Sequence, residues 1–301
     1  MKTPKSKNCK VITTYFGKRF SFPYNVEDTI SIISDSIKNE INLNPGVDNL
    51  DVIIVNHNCG VKKGNDYLNT LNGLKTYCGV VKVIHRPWDD GEGISLKSMN
   101  YAFNMFKNVY HYWFFQEDDY KVKQENYYSK GIKMLKGDIA FIGYDTKTWT
   151  KLKENKDKIK LKLKLIKYLS FLPKLFIYGK DHTNKVTSII NKTLKLLDQN
   201  KVPFSPNMTG LTNRKYLEEV IRLNGELPYP NIPHNRQNGF NIKNPLRIFE
   251  FGLNYLTWYT SAFVLGEIEF TRIYYDLGYR IECYPHTPGL IYPYKNDTIK
   301  G

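Results

Sequence analysis

Hydrophobic positions along the 301-residue chain follow two periods in turn. Residues 10–16, KVITTYF, form a β-branched and aromatic run stopped by Gly17, which predicts a strand. Residues 26–41 carry apolar side chains at 26, 30, 33, 37 and 41. Steps of three and four predict one face of a helix, and Asn44, Pro45 and Gly46 end it. Residues 50–55, LDVIIV, predict a buried strand, 64–77 a polar helix, and 80–84 a third strand. A helix over 95–107 and a fourth strand over 110–115 follow. This alternation predicts an α/β domain with a mostly parallel central sheet flanked by helices. Functional groups in such sheets lie at the carboxyl ends of the strands. Here those ends are Thr13, Thr14 and Tyr15, then Asn56 to Asn58, then Arg86 to Asp90, then Gln116 to Asp119.

Composition changes this picture in one respect. Lys and Arg number 44 against 29 Asp and Glu, a formal charge of +15, which invites a nucleic-acid reading. Only eight of the 44 are Arg, the side chain suited to bidentate phosphate and base contacts, so no nucleic-acid partner is expected. Residues 151–200 hold 13 Lys and four acids, so +9 of the charge is regional. Aromatics at 14% exclude an extended disordered chain. No segment approaches the roughly 20 consecutive apolar residues of a membrane span. The first 17 residues lack the apolar stretch of a secretory signal. The four cysteines contain no CxxC pair, which suggests a reducing compartment and no zinc site. The expected location is cytoplasmic.

The acids Glu117, Asp118 and Asp119 concentrate the chemistry. An aromatic strand delivers three carboxylates at once, and adjacent carboxylates repel one another where water is scarce. A hard divalent cation, Mn²⁺ or Mg²⁺, relieves that repulsion and completes its shell with water and phosphate oxygens.

The chain here resembles the GT-A glycosyltransferases, closest in pattern to the broad family 2 type. In that family an acidic "DXD" motif follows a sheet strand, and Glu117, Asp118 and Asp119 stand in its place. The resemblance implies a single GT-A-like domain over 1–301. Its nucleotide-sugar-binding half would span 10–145, with a basic helical insertion over 146–200 and an acceptor-binding half over 201–301. It implies a metal held by Asp119, with Glu117 beside it and the late His286 as a further ligand. Thr13, Thr14, Tyr15, Arg19, Asn56, Lys97, Glu117 and Asp118 would face a UDP-, GDP- or dTDP-sugar donor. Residues 93–103, with a Gly, small and basic residues and Asn100, resemble the family's donor-facing helix entry. Residues 208–217 resemble its acceptor-side strand, with Gly210 leaving room for a sugar. Residues 266–281 resemble its "ED…R…GYR" segment, which places Glu267 as the general base of an inverting transfer and Glu269 as second choice. The acceptor would be a hydroxyl-bearing glycan or glycoconjugate. The chain departs from the pattern at Asn56, where an Asp is usual, at Glu117, and at Gly266, where the pair's first acid is missing.

Other residues carry weaker expectations. Lys18 could meet diphosphate or base. Asp89 and Asp90, after Trp88, suit a ribose or donor-sugar contact. His234 is a lesser candidate ligand, and Asp276 reads as structural. Residues 158–169 begin in strict alternation, as a strand would, and drift to helical spacing, so period leaves both readings open. As a basic amphipathic helix, 151–172 would be a candidate for peripheral membrane contact. Two other readings remain: a nucleotidyltransferase acting on sugar phosphates, and a non-enzymatic binder of nucleic acid or anionic surfaces. Against the first, the N-terminal region lacks a GxGxRxxP-like signature.

Overall fold

The computed structural model describes residues 7–17, 25–89, 94–144, 154, 156–169, 179–201, 209–229, 262–285 and 289–290. Arg19, His286, Lys18, Asp90, His234 and Gly93 lie outside the described residues.

The chain runs β1 (Asn8–Thr14), α1 (Val26–Asn42), β2 (Asp51–His57), α2 (Lys62–Leu71), β3 (Val81–Arg86), α3 (Ile94–Phe106) and β4 (Tyr112–Glu117). After the short β5 (Tyr120–Lys121) come α4 (Tyr127–Met134) and β6 (Ile139–Gly143). Helices α5 (Lys156–Leu169) and α6 (Gly179–Asp198) precede β7 (Gly210–Asn213) and α7 (Arg214–Asn224). A π-helical turn, Ala262–Ile268, runs directly into α8 (Glu269–Asp276), followed by β8 (Arg280–Cys283) and β9 (Gly289–Leu290).

Seven strands form one sheet in the order β3-β2-β1-β4-β7-β6-β8. β1 pairs in parallel with β2 and β4, β2 with β3, and β6 with β8. Only β7 runs against its neighbours, β4 and β6. This is the mostly parallel, helix-flanked α/β architecture expected from the sequence.

Both faces of the parallel half are covered, which is why its strands read as continuous apolar runs. On one face Ile53 and Val55 of β2 pack with Met99, Ala102 and Phe103 of α3 and with Trp113 and Phe115 of β4. On the other, Val52 and Ile54 pack with Ile33 and Ile37 of α1 and Leu68 of α2. α1 starts on a capping box: the Asp28 N–H donates to Asn25 Oδ1 at 2.8 Å, and the Asn25 N–H donates to Asp28 Oδ2 at 3.1 Å. Such reciprocal caps satisfy two otherwise orphaned donors. Lys10, in the middle of β1, is fully buried, and its Nζ donates to Glu40 Oε1 of α1 at 2.6 Å. It also lies 5.1 Å from the ring centroids of Phe114 and Tyr127.

The segment whose period was ambiguous is the helix α5. Its Ile159, Leu163 and Ile166 pack with Val186, Ile189 and Ile190 of α6, and with Val264, Leu265 and Ile268 of the π-helical turn. This second apolar cluster joins the basic helices to the turn that carries Glu267.

Candidate active site at the carboxyl edge of the sheet

The register of the parallel strands lines up their ends. Thr13 pairs with Val55 of β2 on one side and Glu117 of β4 on the other. Thr14 pairs with Asn56, Asn56 with His85, and His57 with Arg86. Side chains delivered by four strands therefore meet along one edge, in two groups.

The first group is an aromatic shelf over an ionic hub. Tyr15 stacks on Trp88 with centroids 5.9 Å apart and planes 11° from parallel. His57 stacks on Trp88 at 4.8 Å and meets Tyr15 at 5.7 Å. Gly17 permits this arrangement, because a Cβ there would stand 2.0 Å from the Tyr15 hydroxyl. Beneath the rings, Asp89 accepts from Arg86 at 2.7 Å, pairs with Lys97 at 2.8 Å, and meets His57 Nε2 at 2.9 Å. Burial works to raise the Asp89 pKa, but the Lys97 hydrogen bond and the Arg86 charge together hold it below the ordinary range. Burial, then the Arg86 cation, push His57 down to about 4, so it is neutral at pH 7. An ionised carboxylate only accepts, so the proton of neutral His57 sits on Nε2. Its Nδ1 is buried with no hydrogen-bond partner among the described residues.

The second group is acidic. Gln116 is buried, and its Nε2 donates to the Tyr120 carbonyl at 2.7 Å, closing the turn that presents the triplet. Asp118 is buried and accepts from the Thr14 hydroxyl at 2.6 Å. Glu117 is half-buried and accepts from the Ser95 hydroxyl of α3 at 2.6 Å. Burial, followed by the charges of Asp119, Glu267 and Asp118, pushes Glu117 up to about 8 against the opposing Ser95 hydrogen bond. The buried Thr13 hydroxyl, beside Glu117 in the register, has no hydrogen-bond partner among the described residues. Glu267 reaches this group from the far end of the chain, on the π-helical turn. Among the described residues no three His, Cys, Asp or Glu side chains form a preformed metal cage.

The candidates from the sequence are placed as follows. Thr13, Thr14, Tyr15, Glu117, Asp118, Asp119 and Glu267 gather at the edge, and Lys97 joins the hub through Asp89. Asn56 turns towards α2, where its Nδ2 donates to Asn65 Oδ1 at 2.7 Å and lies 3.0 Å from His85 Nδ1. Glu269 is buried and held by Arg272, which donates to its two oxygens at 2.5 and 2.8 Å. Arg272 also pairs with Asp276 at 2.8 Å, so both acids serve that buried cation. Gly210 faces Phe141, whose ring would lie 2.4 Å from a Cβ there, and that packing accounts for the glycine. The Asn100 amide oxygen accepts from the Leu227 N–H at 3.3 Å. Sequence reasoning missed Ser95 as the partner of Glu117 and His57 as a member of the hub. Ser95 had a signal, since it lies in the helix entry singled out by resemblance. His57 had only its place at a strand end.

No protein-family model matches the chain, and no curated protein matches it by sequence. Several solved structures are similar in fold. A mannosyltransferase from Pyrobaculum calidifontis, in complex with GDP-mannose and Mn²⁺, aligns over 94% of this chain with 10% identity and a TM-score of 0.48. The alignment spans 56% of that protein's length. A 4-diphosphocytidyl-2C-methyl-D-erythritol synthase from Anaerococcus prevotii aligns over 92% of this chain and 86% of its own, at 11% identity and a TM-score of 0.37. Mouse xyloside xylosyltransferase 1, in its apo form, covers 92% and 85% respectively, at 8% identity and a TM-score of 0.41. At these identities the likeness is one of backbone architecture.

Proposed function

We propose that the protein transfers a sugar from a nucleotide-diphosphate sugar to a hydroxyl acceptor, with inversion and with a divalent cation at the acidic group. One observation carries the reading. The carboxylates of Glu117, Asp118 and Asp119 are presented together at the carboxyl edge, the charge of Glu267 bears on Glu117 from a separate element, and an aromatic shelf with the Arg86 and Lys97 side chains lies alongside. Nucleotide-sugar transfer asks for these parts: a flat surface for a base, cations for a diphosphate, a cation site and a base for the acceptor.

The donor set fits Mn²⁺ or Mg²⁺. Its described members, Glu117 and Asp119, offer carboxylate oxygens, and a site of one or two carboxylates, rather than a closed cage, leaves room for water and diphosphate oxygens. Asp119 would be the principal ligand, with Glu117 beside it and His286 a further candidate. When bound, the cation supplies charge neutralisation on the departing diphosphate. The remaining work belongs to the chain. The half-buried Trp88, backed by the buried Tyr15 and by His57, offers the flat surface on which the nucleotide base stacks. Lys97 and Arg86, held in place by Asp89, provide positive charge for the diphosphate. Thr14 fixes Asp118, and Ser95 fixes Glu117. Glu267 accepts the acceptor's hydroxyl proton as that oxygen attacks the anomeric carbon. Glu269 is set aside because Arg272 occupies both of its oxygens.

A thermal-shift screen of UDP-, GDP- and dTDP-sugars, with and without Mn²⁺, tests the reading directly. One nucleotide class should stabilise the protein, and more so with Mn²⁺. Asp119→Ala should abolish the metal-dependent part, and no stabilisation by any donor in the wild type would refute the proposal. The product separates it from nucleotidyl transfer, since a glycosyltransferase releases nucleoside diphosphate and a nucleotidyltransferase releases pyrophosphate.

A further inference from the structure

Helix α5 has two apolar faces, and among the described residues one of them is packed and the other exposed. The inner face carries Ile159, Leu163 and Ile166 into the cluster with α6 and the π-helical turn. On the outer face Leu161, Leu165 and Tyr168 are 68%, 55% and 75% exposed. At 100° per residue these three positions fall within a stripe of about 60° along one side of the helix. Exposed lysines flank the stripe, Lys164 on one side and Lys158 and Lys162 on the other. The remaining lysines of the helix turn inward: Lys156 donates to Asn200 at 2.7 Å, Lys167 to Asn191 at 3.0 Å, and Lys160 pairs with Asp198. The acids nearby are Glu154 and Asp157 at the helix's N-terminal end and the exposed Asp198 of α6, which pairs with Lys160 and also acts on Lys164 at the edge of the stripe.

We infer that the outer face of α5 seats the protein on an anionic lipid bilayer. The side chains match the layers of such a surface. Leu161 and Leu165 enter the acyl boundary, Tyr168 sits at the headgroup level, and the lysine stems follow the apolar stripe while their ammonium groups reach the phosphates. No helix among the described residues is long and apolar enough to cross a membrane, and the contact inferred for α5 is one of surface. Three side chains fall far short of the roughly 800 Å² per partner that a stable dimer buries, which argues against a second copy of the chain. A polyphosphate partner would leave the leucines in water. The same apolar cluster that backs α5 also contains Val264, Leu265 and Ile268, the neighbours of Glu267. Bilayer contact therefore bears on the element that carries the proposed base.

Vesicle co-sedimentation of the full chain tests this, with phosphatidylcholine vesicles prepared with and without phosphatidylglycerol. The protein should sediment with the anionic vesicles at low ionic strength, stay in solution with the neutral ones, and be released by salt. Replacing the apolar stripe (Leu161→Ser, Leu165→Ser, Tyr168→Ser) should weaken partitioning at least about tenfold. Replacing Lys158, Lys162 and Lys164 by Gln should weaken it by about a hundredfold, at about fivefold per lysine. All six side chains are exposed, so the melting temperature should be unchanged; Leu165→Ser alone serves the same comparison if the triple variant melts early. Absence of sedimentation with anionic vesicles overturns the inference, as does an apolar-stripe variant that partitions like the wild type. A concentration-dependent dimer lost in that variant would assign the stripe to a second copy and overturn it equally. Neither nucleotide nor metal enters the assay, so its failure is separable from failure of the transferase reading.

Discussion

Glu267 and Glu269 stand two residues apart, and the structure gives them different surroundings. Glu269 neutralises the buried Arg272, whereas Glu267 adds its charge to Glu117. Glu267→Gln should lower turnover by about 10²–10⁴ while donor-induced stabilisation persists, the usual cost of removing a general base. Glu269→Gln should instead destabilise the fold by about 3 kcal/mol, because it breaks a buried ion pair, and leave the turnover of the folded protein near normal. Denaturant midpoints and steady-state rates on the two variants separate the roles, and reversed results would exchange them. His57 supplies a pH test. Its folded pKa of about 4 lies below the ordinary 6.5, so the unfolded chain binds the extra proton first as the pH falls. Stability is complete above about 6.5 and is lost through the window down to about 4, by about 2 kcal/mol between pH 7 and 5. Urea unfolding at those two pH values should show this loss, and His57→Asn should reduce it. An equal loss in the variant would move the effect to another group.

At the scale of elements, α5 shows how one helix carries two kinds of apolar residue. Leu163 is fully buried and Leu161 is 68% exposed. Leu163→Ala should cost about 2–5 kcal/mol and loosen the α5–α6 packing against the π-helical turn. Leu161→Ala should stay within about 0.5 kcal/mol. Chemical denaturation of both variants checks the contrast, and similar costs would mean the helix packs through a different face. Alternation of Lys with Ile or Leu satisfies a strand template as well as a helix with apolar residues on two sides. Burial by α6 and by the distant residues 264–268 decides between them. β1 poses a similar problem. A Lys in the middle of an apolar strand suggests an exposed edge, yet Lys10 is buried because Glu40, thirty residues later, and two aromatic rings receive it.

At the scale of the molecule, a chain of +15 net charge gathers carboxylates where the sheet ends. Binding at that edge is linked to folding. A donor with Mn²⁺ at about a hundred times its Kd should raise unfolding stability by about 2.7 kcal/mol, and by markedly less without the cation. Calorimetric scans with each component omitted in turn would measure it, and equal stabilisation with and without Mn²⁺ would exclude a bridging cation. The lysine excess belongs mainly to residues 151–200, so salt should act on the proposed bilayer contact more than on turnover with a soluble acceptor.

The alternation of strands and helices, the parallel half of the sheet and the acidic strand end at Glu117 to Asp119 are legible in the order of residues alone. These are local matters: period, turn residues and strand-end position are written within a dozen or so neighbours. Long-range packing is what places β7 between β4 and β6, joins Thr14 to Asp118, brings the charge of Glu267 rather than Glu269 to bear on Glu117, and turns Asn56 towards α2. Each of these depends on which distant segment fills the space beside a residue. Two acids two positions apart on a π-helical turn running into a helix look alike in sequence, and they differ once Arg272 closes on one of them and leaves the other near the carboxyl edge of the sheet.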